Sequence, residues 1–274
     1  MGIVSSAISN KGGVGKTTTM VNLASAIATL DPSKKVLLLD ADGQGNSAIA
    51  FRINPHDHNQ VKYTLIDCLL DGVDPSKAII KLDDRNSLKI PENLFLLPAN
   101  YELNLIGFEV LNKWDEFPKP FELLKKLVDE LRNDFDYIFI DAPPTMDLMA
   151  CNILSASDNI YIPFVPDLFS TQGLIRVVNE INDFKERNAV DVKIAGVIKT
   201  MVEANTTTHS SVSIQADAFC LKNNIPMMKR TIPKRAENSK SFLKYGVPIV
   251  IANKNHEASK YYFELAQEVL EQND

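Results

Sequence analysis

The sequence predicts an α/β fold in which a mostly parallel, twisted sheet carries helices on both faces. Short apolar strands alternate along the chain with segments of helical periodicity. Strands such as 36–40 (VLLLD) are apolar almost without interruption, which indicates burial on both faces of the sheet. This alternation is typical of parallel strands joined by crossover helices.

The first crossover unit is the clearest. A β-branched strand at 3–9 runs into a glycine cluster, a helix follows over 17–30, and a second strand follows over 36–40. Asp31 and Pro32 end the helix, because proline cannot continue it. Strand, loop, helix and strand in this order predict two parallel strands.

The later elements repeat this alternation. Strands are predicted at 93–99, 136–144, 159–165 and 192–200, and helices at 121–135, 174–187, 213–224 and 261–272. The least regular region is 52–92, where we expect one short helix near 64–71. Because no linker or internal repeat divides the chain, a single domain over 1–274 is predicted, without an N-terminal helix-turn-helix domain.

Composition and charge exclude several classes of protein. The formal net charge of −6 argues against a protein that coats nucleic acid with its whole surface. The three cysteines form no CxxC pair or Cys/His cluster, so neither a zinc site nor a disulfide framework is predicted. Neither a signal peptide nor a run of ~20 apolar residues is present. We therefore expect a soluble, cytoplasmic protein that does not associate with membranes.

A phosphate-binding loop is predicted at 10–17, NKGGVGKT, between the first strand and the first helix. It matches G-x-x-x-x-G-K-[ST] except that Asn10 replaces the first glycine. Glycines let the backbone N–H groups converge on phosphate oxygens, while Lys16 contacts the β- and γ-phosphates and Thr17 supplies a hydroxyl to Mg²⁺. The predicted nucleotide-binding residues here are Lys11, Gly12, Gly13, Val14, Gly15, Lys16, Thr17 and Thr18.

Three aspartates follow predicted strands. Asp141 ends an apolar strand, which is the position of the Walker-B aspartate that holds Mg²⁺. Asp40 and Asp42 lie at the end of the strand at 36–40, and parallel strands gather their C-terminal ends at one edge of the sheet. A carboxylate there can orient the attacking water or hold the hydration shell of the metal. The alternative is that one of these acids only caps a loop.

Three segments, KGGVGKTT, LLLDADGQGN and DYIFIDAPP, make the chain resemble the deviant Walker-A ATPases of the ParA/MinD family, with the closest similarity to the ParA/Soj branch. The resemblance extends through 159–174 and 196–201 and covers most of the chain. It implies a P-loop NTPase that hydrolyses ATP slowly with Mg²⁺. Gly43 stands where the family has proline, which we expect to loosen that loop.

The resemblance also implies roles for individual residues. Lys11 is the signature lysine, expected to reach across an ATP-bound sandwich dimer to the phosphates of the partner, so the implied catalytic residues are Lys11, Lys16 and Asp42. Lys11 contacting only its own phosphates or solvent is the alternative. Metal binding is assigned to Thr17, Asp40 and Asp141. Adenine is expected near Thr200, Met201, Ile232 and Pro233, although these residues could equally serve core packing.

A basic stretch at 222–244 predicts a DNA-binding surface. It holds seven basic residues against Glu237, so it can neutralise DNA phosphates without reading sequence. The predicted DNA-binding residues are Lys222, Lys229, Arg230, Lys234, Arg235, Lys240 and Lys244. A solvated charged face, or residues of the nucleotide pocket, is the alternative for this stretch.

The ParA/Soj resemblance implies plasmid or chromosome partition. The ATP dimer is expected to bind DNA non-specifically on the nucleoid, and a ParB-like centromere-binding protein to release it by stimulating hydrolysis. The acidic C-terminal end does not match the basic membrane helix of MinD relatives. Two alternatives stay open: a ParA-like ATPase that positions a non-DNA protein cargo, and a MinD-like regulatory switch with negligible turnover.

Overall fold

The computed structural model describes residues 1–83, 88–203 and 207–273, without the side chains of 236, 238 and 239. In this part of the chain the strands are β1 (Ile3–Ala7), β2 (Val36–Asp40), β3 (Ile80–Lys81), β4 (Leu94–Leu97), β5 (Tyr137–Asp141), β6 (Asn159–Phe164) and β7 (Lys193–Lys199). They form one sheet in the order β3-β4-β2-β5-β1-β6-β7. Every neighbouring pair is parallel except β3 with β4. The predicted mostly parallel α/β architecture is confirmed.

Helices cover both faces of this sheet. They are α1 (Lys16–Leu30), α2 (Asn46–Ile49), α3 (Leu65–Leu70), α4 (Pro75–Ala78), α5 (Ile106–Asn112), α6 (Leu123–Leu131), α7 (Leu148–Ala156), α8 (Ser170–Asn188), α9 (Thr207–Lys222), α10 (Ala236–Tyr245), α11 (Ile249–Ala252) and α12 (Glu257–Glu271), with 3₁₀ helices at Tyr101–Leu105 and Trp114–Glu116. Alternate residues of β2 face opposite layers, because side chains alternate along a strand. Leu37 and Leu39 pack with α6, α7 and α8, whereas Val36 and Leu38 pack with α1 and α12.

Several helices were not predicted from the sequence. These are α5, α7, α10 and α11, together with the short helices α2 and α4. Helix α7 begins at an N-cap, Asp147, whose side chain accepts hydrogen bonds from the backbone N–H groups of Met149 and Ala150. In the irregular region 52–92 the expected short helix is α3, and residues 84–87 of that region lie outside the described residues.

The order of the strands brings the predicted phosphate loop and the predicted acids together. β5 lies between β1 and β2, and in the register of the sheet Asp141 is paired with Ala7 on one side and with Asp40 on the other. The end of β1, which leads into the glycine-rich loop, therefore lies beside Asp141, and Asp40 lies one strand further along the sheet. Among the described residues, no helix is both long enough and apolar enough to span a membrane.

Candidate nucleotide-binding site

The glycine-rich loop between β1 and α1 forms an open cradle. Gly13 and Gly15 have φ of 74° and 82°, in the left-handed region that favours glycine. No atom lies within 4 Å of the place that a Cβ would take at Gly12 or Gly13. No side chain caps the first turn of α1, so its backbone N–H groups are available to an anion. The cradle and the helix N-terminus fit a bound phosphate chain.

Lys16, the first residue of α1, places a buried cation beside this cradle. Its exposed fraction is 6%. Burial lowers the pKa of the Lys16 ammonium, while the carboxylates of Asp141 and Asp42 act in the opposite direction. A buried lysine that faces carboxylates on one side and an open anion cradle on the other is suited to contact a phosphate.

Asp40 organises the loop that follows β2. Its carboxylate is fully buried and accepts hydrogen bonds from the backbone N–H groups of Asp42, at 3.1 Å, and Ser47, at 3.0 Å. Burial, and then the neighbouring Asp141 carboxylate, raise the pKa of Asp40 well above its usual value. In this structure Asp40 therefore fixes the loop that carries Asp42 and Ser47.

Asp141 lies at the centre of the site and fits a metal ion. The Ser47 hydroxyl donates to its Oδ2 at 3.1 Å, the Thr17 hydroxyl lies near this carboxylate, and its Oδ1 is buried without a hydrogen-bond partner. Burial raises the pKa of Asp141 to about 6. A buried carboxylate oxygen that lacks a donor, beside the Thr17 hydroxyl, is a suitable environment for Mg²⁺ or its water shell.

A nucleotide-dependent Mg²⁺ site needs few protein ligands, because Mg²⁺ keeps several waters and is bound largely through substrate phosphates. The described residues contain no group of three or more His, Cys, Asp or Glu side chains that could hold a metal alone. Thr17 and Asp141 would hold Mg²⁺ together with the phosphates, and Asp40 would support the hydration shell of the metal. Ser47 was not predicted from the sequence, since its partner Asp141 is far away along the chain.

Asp42, the predicted water-orienting residue, lies on the loop between β2 and α2. Its exposed fraction is 9%, and its Oδ1 accepts a hydrogen bond from the backbone N–H of Gln44 at 2.9 Å. Beside it, the Asn104 side chain occupies the space that a Cβ at Gly43 would need. The loosening of the loop expected from Gly43 is therefore opposed, because Asn104, from the 3₁₀ helix at Tyr101–Leu105, packs against the backbone of Gly43.

Lys11 is held by the segment between β6 and α8. Its Nζ lies 2.5 Å from Oδ2 of Asp167 and 3.4 Å from Oγ of Ser170, and Ser170 also donates to Asp167. Partial burial raises the pKa of Asp167, but the hydrogen bonds from Lys11 and Ser170 outweigh burial and lower this pKa overall. Half of the Lys11 side chain is exposed, so it can leave this anchor for another anion. Asp167 and Ser170 lie within the resembling segment 159–174 but were not predicted to contact Lys11.

The four adenine candidates divide into two pairs. The Thr200 hydroxyl donates to the carbonyl of Val14 at 2.8 Å, and the Cε of Met201 lies 3.5 Å from the Cβ position of Gly15. Both therefore border the phosphate loop. Ile232 is 4% exposed and packs in the core layer of α1 and α12, and Pro233 forms a bridge with Val202. The packing alternative is strongest for Ile232.

The predicted DNA-binding residues are all exposed, but three of the seven are paired with acids. Arg230 pairs with Glu264 at 3.3 Å, Lys234 with Glu203 at 2.7 Å and Arg235 with Glu257 at 2.8 Å. Glu268 also accepts hydrogen bonds from the backbone of this stretch. The four that form no ion pair within the described part of the chain are Lys222, Lys229, Lys240 and Lys244.

Comparisons with known proteins identify the family. A family model described as AAA domain matches residues 3–194. ParA family protein MG470 of Mycoplasma genitalium is 32% identical over 98% of this chain and 97% of its own length. The chain belongs to the ParA family. The sporulation initiation inhibitor protein Soj of Bacillus subtilis is 30% identical over 98% of each chain.

A solved structure agrees with this assignment. Cobyrinic acid a,c-diamide synthase from Mycobacterium smegmatis, with bound ATP analogue and magnesium, has a TM-score of 0.81 and 25% sequence identity, over 100% of this chain and 96% of its own. Its fold is that of this ParA family member. The phosphate cradle and the Asp141 carboxylate of this chain fit ligands of the same kind, a nucleoside triphosphate and magnesium.

Proposed function

We propose that this protein is an ATP-dependent partition ATPase. ATP and Mg²⁺ are its cofactors, and the ATP-bound state is a sandwich dimer that binds DNA non-specifically and is located in the cytoplasm on the nucleoid. A ParB-like protein stimulates hydrolysis and releases the dimer. The observation that supports this best is the phosphate cradle, with Lys11, near the strand-end aspartates Asp40 and Asp141 and the loop aspartate Asp42 in a member of the ParA family.

The side chains divide the work of phosphoryl transfer. The loop and Lys16 bind the phosphates, Thr17 and Asp141 hold Mg²⁺, and Asp42 orients the attacking water. Mg²⁺ supplies positive charge that offsets the charge developing on the transferred phosphoryl group. Asp40 fixes the loop that carries Asp42, and the Ser47 hydroxyl fixes the position of the Asp141 carboxylate. Because positioning and charge carry most of this catalysis, no strong general base is needed.

Lys11 makes dimer formation depend on bound ATP. Two facing nucleotides bring many negative charges together, and a lysine donated by each protomer to the phosphates of the other offsets this repulsion. In the structure Lys11 pairs with Asp167, so dimer formation exchanges this partly exposed ion pair for contacts with phosphate. An exposed ion pair contributes only about 0–1 kcal/mol, so the exchange has a small cost.

Non-specific DNA binding is assigned to the exposed lysines that form no ion pair with the described residues. Phosphate contacts from Lys222, Lys229, Lys240 and Lys244 would carry no sequence information, and two protomers would double their number. The three paired basic residues contribute less, because DNA must first compete with Glu203, Glu257 and Glu264.

The same pairing favours a second candidate function. A stretch in which acids pair with three of the seven basic residues is a weaker DNA surface than the sequence alone implies. A ParA-like ATPase that positions a non-DNA protein cargo, or a MinD-like switch, would keep the nucleotide chemistry and need fewer free lysines. DNA retention separates these candidates.

The decisive experiment measures retention of the purified protein on sequence-unrelated DNA without nucleotide, with ADP and with ATP–Mg²⁺, at low and moderate salt. We expect tight, salt-sensitive retention with ATP–Mg²⁺ only, since released counterions make such binding steeply salt-dependent. Lys16→Ala is the control that removes phosphate binding. Absence of retention in every nucleotide state would refute the partition function and favour the cargo candidate.

A further inference from the structure

Helix α5 exposes one apolar face to solvent. Ile106 and Val110 are buried and face the core. Leu105, Phe108 and Leu111, three residues apart, are 52%, 62% and 67% exposed and lie on the opposite side of the helix. Trp114, in the following 3₁₀ helix, is 56% exposed. We call Leu105, Phe108, Leu111 and Trp114 the α5 apolar face.

This face is the largest concentration of exposed apolar side chains in the described chain. Of the fourteen large apolar residues that are exposed there, six lie between 101 and 121. A concentration of exposed apolar side chains on one helix marks an interaction site, and tryptophan and other aromatic residues are enriched in the centres of protein interfaces. The surface therefore needs a partner with an apolar side of its own.

Four acidic residues lie in the same segment as the α5 apolar face. Glu102 and Glu109 are half-buried, Asp115 and Glu116 are exposed, and Lys113 is the one base among them. None of these four acids forms an ion pair with a lysine or arginine in the described residues, whereas the nearby Glu122 pairs with Lys119. The unpaired acids repel DNA and anionic lipid, and they disfavour a symmetric contact with the same face of a second copy. They attract a basic partner.

The same segment contacts the loop that carries Asp42. Asn104 occupies the space beside Gly43, and the carbonyl of Ala99 lies 2.9 Å from the Cβ position of Gly45. The ring of Tyr101 lies 5.6 Å from the ring of His56, in the segment that follows α2. Leu105, the first residue of the apolar face, is adjacent to Asn104. A partner that binds the face therefore presses on a segment in direct contact with the catalytic loop.

We propose that the α5 apolar face binds a basic amphipathic helix of a protein partner, and that this binding stimulates ATP hydrolysis through the contact of Asn104 with the loop of Asp42. The apolar side of such a helix covers Phe108 and Leu111, and its lysines or arginines meet the unpaired acids. This inference rests on the proposed ATPase function and identifies the surface on which hydrolysis is controlled.

Trp114 makes the proposal measurable without a label, because it is the single tryptophan of the chain. The probe is a helical peptide of about 18 residues of Leu and Lys with leucines on one face. We expect a saturable blue shift of Trp114 emission in the ATP–Mg²⁺ state, together with faster ATP turnover. An isomer of the same composition without an apolar face, and a Leu/Glu helix, should produce neither effect.

Variants of exposed residues locate the effect. Phe108→Ser with Leu111→Ser removes apolar contact, and Glu109→Lys with Asp115→Lys reverses the surrounding charge. Each pair should weaken peptide binding by at least about tenfold. Ile214→Ser with Leu221→Ser, two exposed apolar residues of α9, is the matched control and should bind the peptide normally. Circular dichroism and the unfolding temperature establish that the variants are folded.

Three outcomes would overturn the proposal. These are the absence of a shift with the basic helix, equal binding by the α5 variants and the α9 control, and a blue shift that depends on protein concentration alone. The last outcome would identify a second copy as the occupant. ATP-dependent DNA retention, measured on the same preparations, tests the partition function separately, so failure of peptide binding is distinguishable from failure of that function.

Discussion

Ser47→Ala tests whether the buried hydroxyl of Ser47 holds the Asp141 carboxylate. Ser47 is fully buried and donates to Asp141 Oδ2, whose companion oxygen already lacks a donor. A hydrogen bond to a charged group contributes about 1.5–3 kcal/mol. For a chain of this size 1 kcal/mol corresponds to about 2–4 °C in Tm, so we expect a fall of about 3–12 °C.

The assay is thermal unfolding with and without ATP–Mg²⁺, and Ser25→Ala is the matched control. Ser25 is also fully buried, but its hydroxyl donates to a carbonyl of its own helix, at Val21, so its removal should cost little. We further expect Ser47→Ala to raise the Mg²⁺ concentration needed for ATP binding, since Asp141 is less firmly placed. Equal Tm values for the two variants would refute the role assigned to Ser47.

Three further predictions concern the remaining parts of the switch. Lys11→Ala should bind ATP but form no ATP-dependent dimer in light scattering; dimers of the variant would exclude its role in trans. Asp42→Ala should accumulate the ATP dimer with turnover reduced at least about hundredfold, and unchanged phosphate release would remove Asp42 from the mechanism. Lys229→Gln should lower both DNA affinity and its salt slope, whereas Arg235→Gln, which loses an ion pair with Glu257, should change both less; equal effects would contradict the division into free and paired residues.

The fold was predictable because its strands and its longer helices differ in periodicity. The unpredicted helices lack this contrast. α7 is buried on almost all sides, so LMACNILSA has no polar face to reveal its period. α5 has the opposite property, since its exposed side is also apolar. Hydrophobic periodicity detects a helix only when one face is buried and the other is polar.

The site was predictable where residues share a motif, and not where contacts join distant segments. The phosphate loop and the strand-end aspartates lie within short patterns that specify their own geometry. Ser47 with Asp141, and Lys11 with Asp167, are pairs formed by the strand order. The ion pairs of the basic stretch were not predictable for the same reason, because the acids that pair with Arg230, Lys234 and Arg235 come from elsewhere in the chain.

The loop from Asp40 to Ser47 has contacts of different kinds at its ends and in its middle, and this arrangement makes it suited to couple a partner to hydrolysis. Ser47 donates to both Asp40 and Asp141, whereas Gly43, between the two ends, contacts Asn104 beside the α5 apolar face. Coupling requires that both sites act on one shared element. Asn104→Ala should therefore leave peptide binding at Trp114 and basal turnover unchanged but remove the stimulation of turnover. If stimulation persisted in this variant, the signal would have to pass by another route.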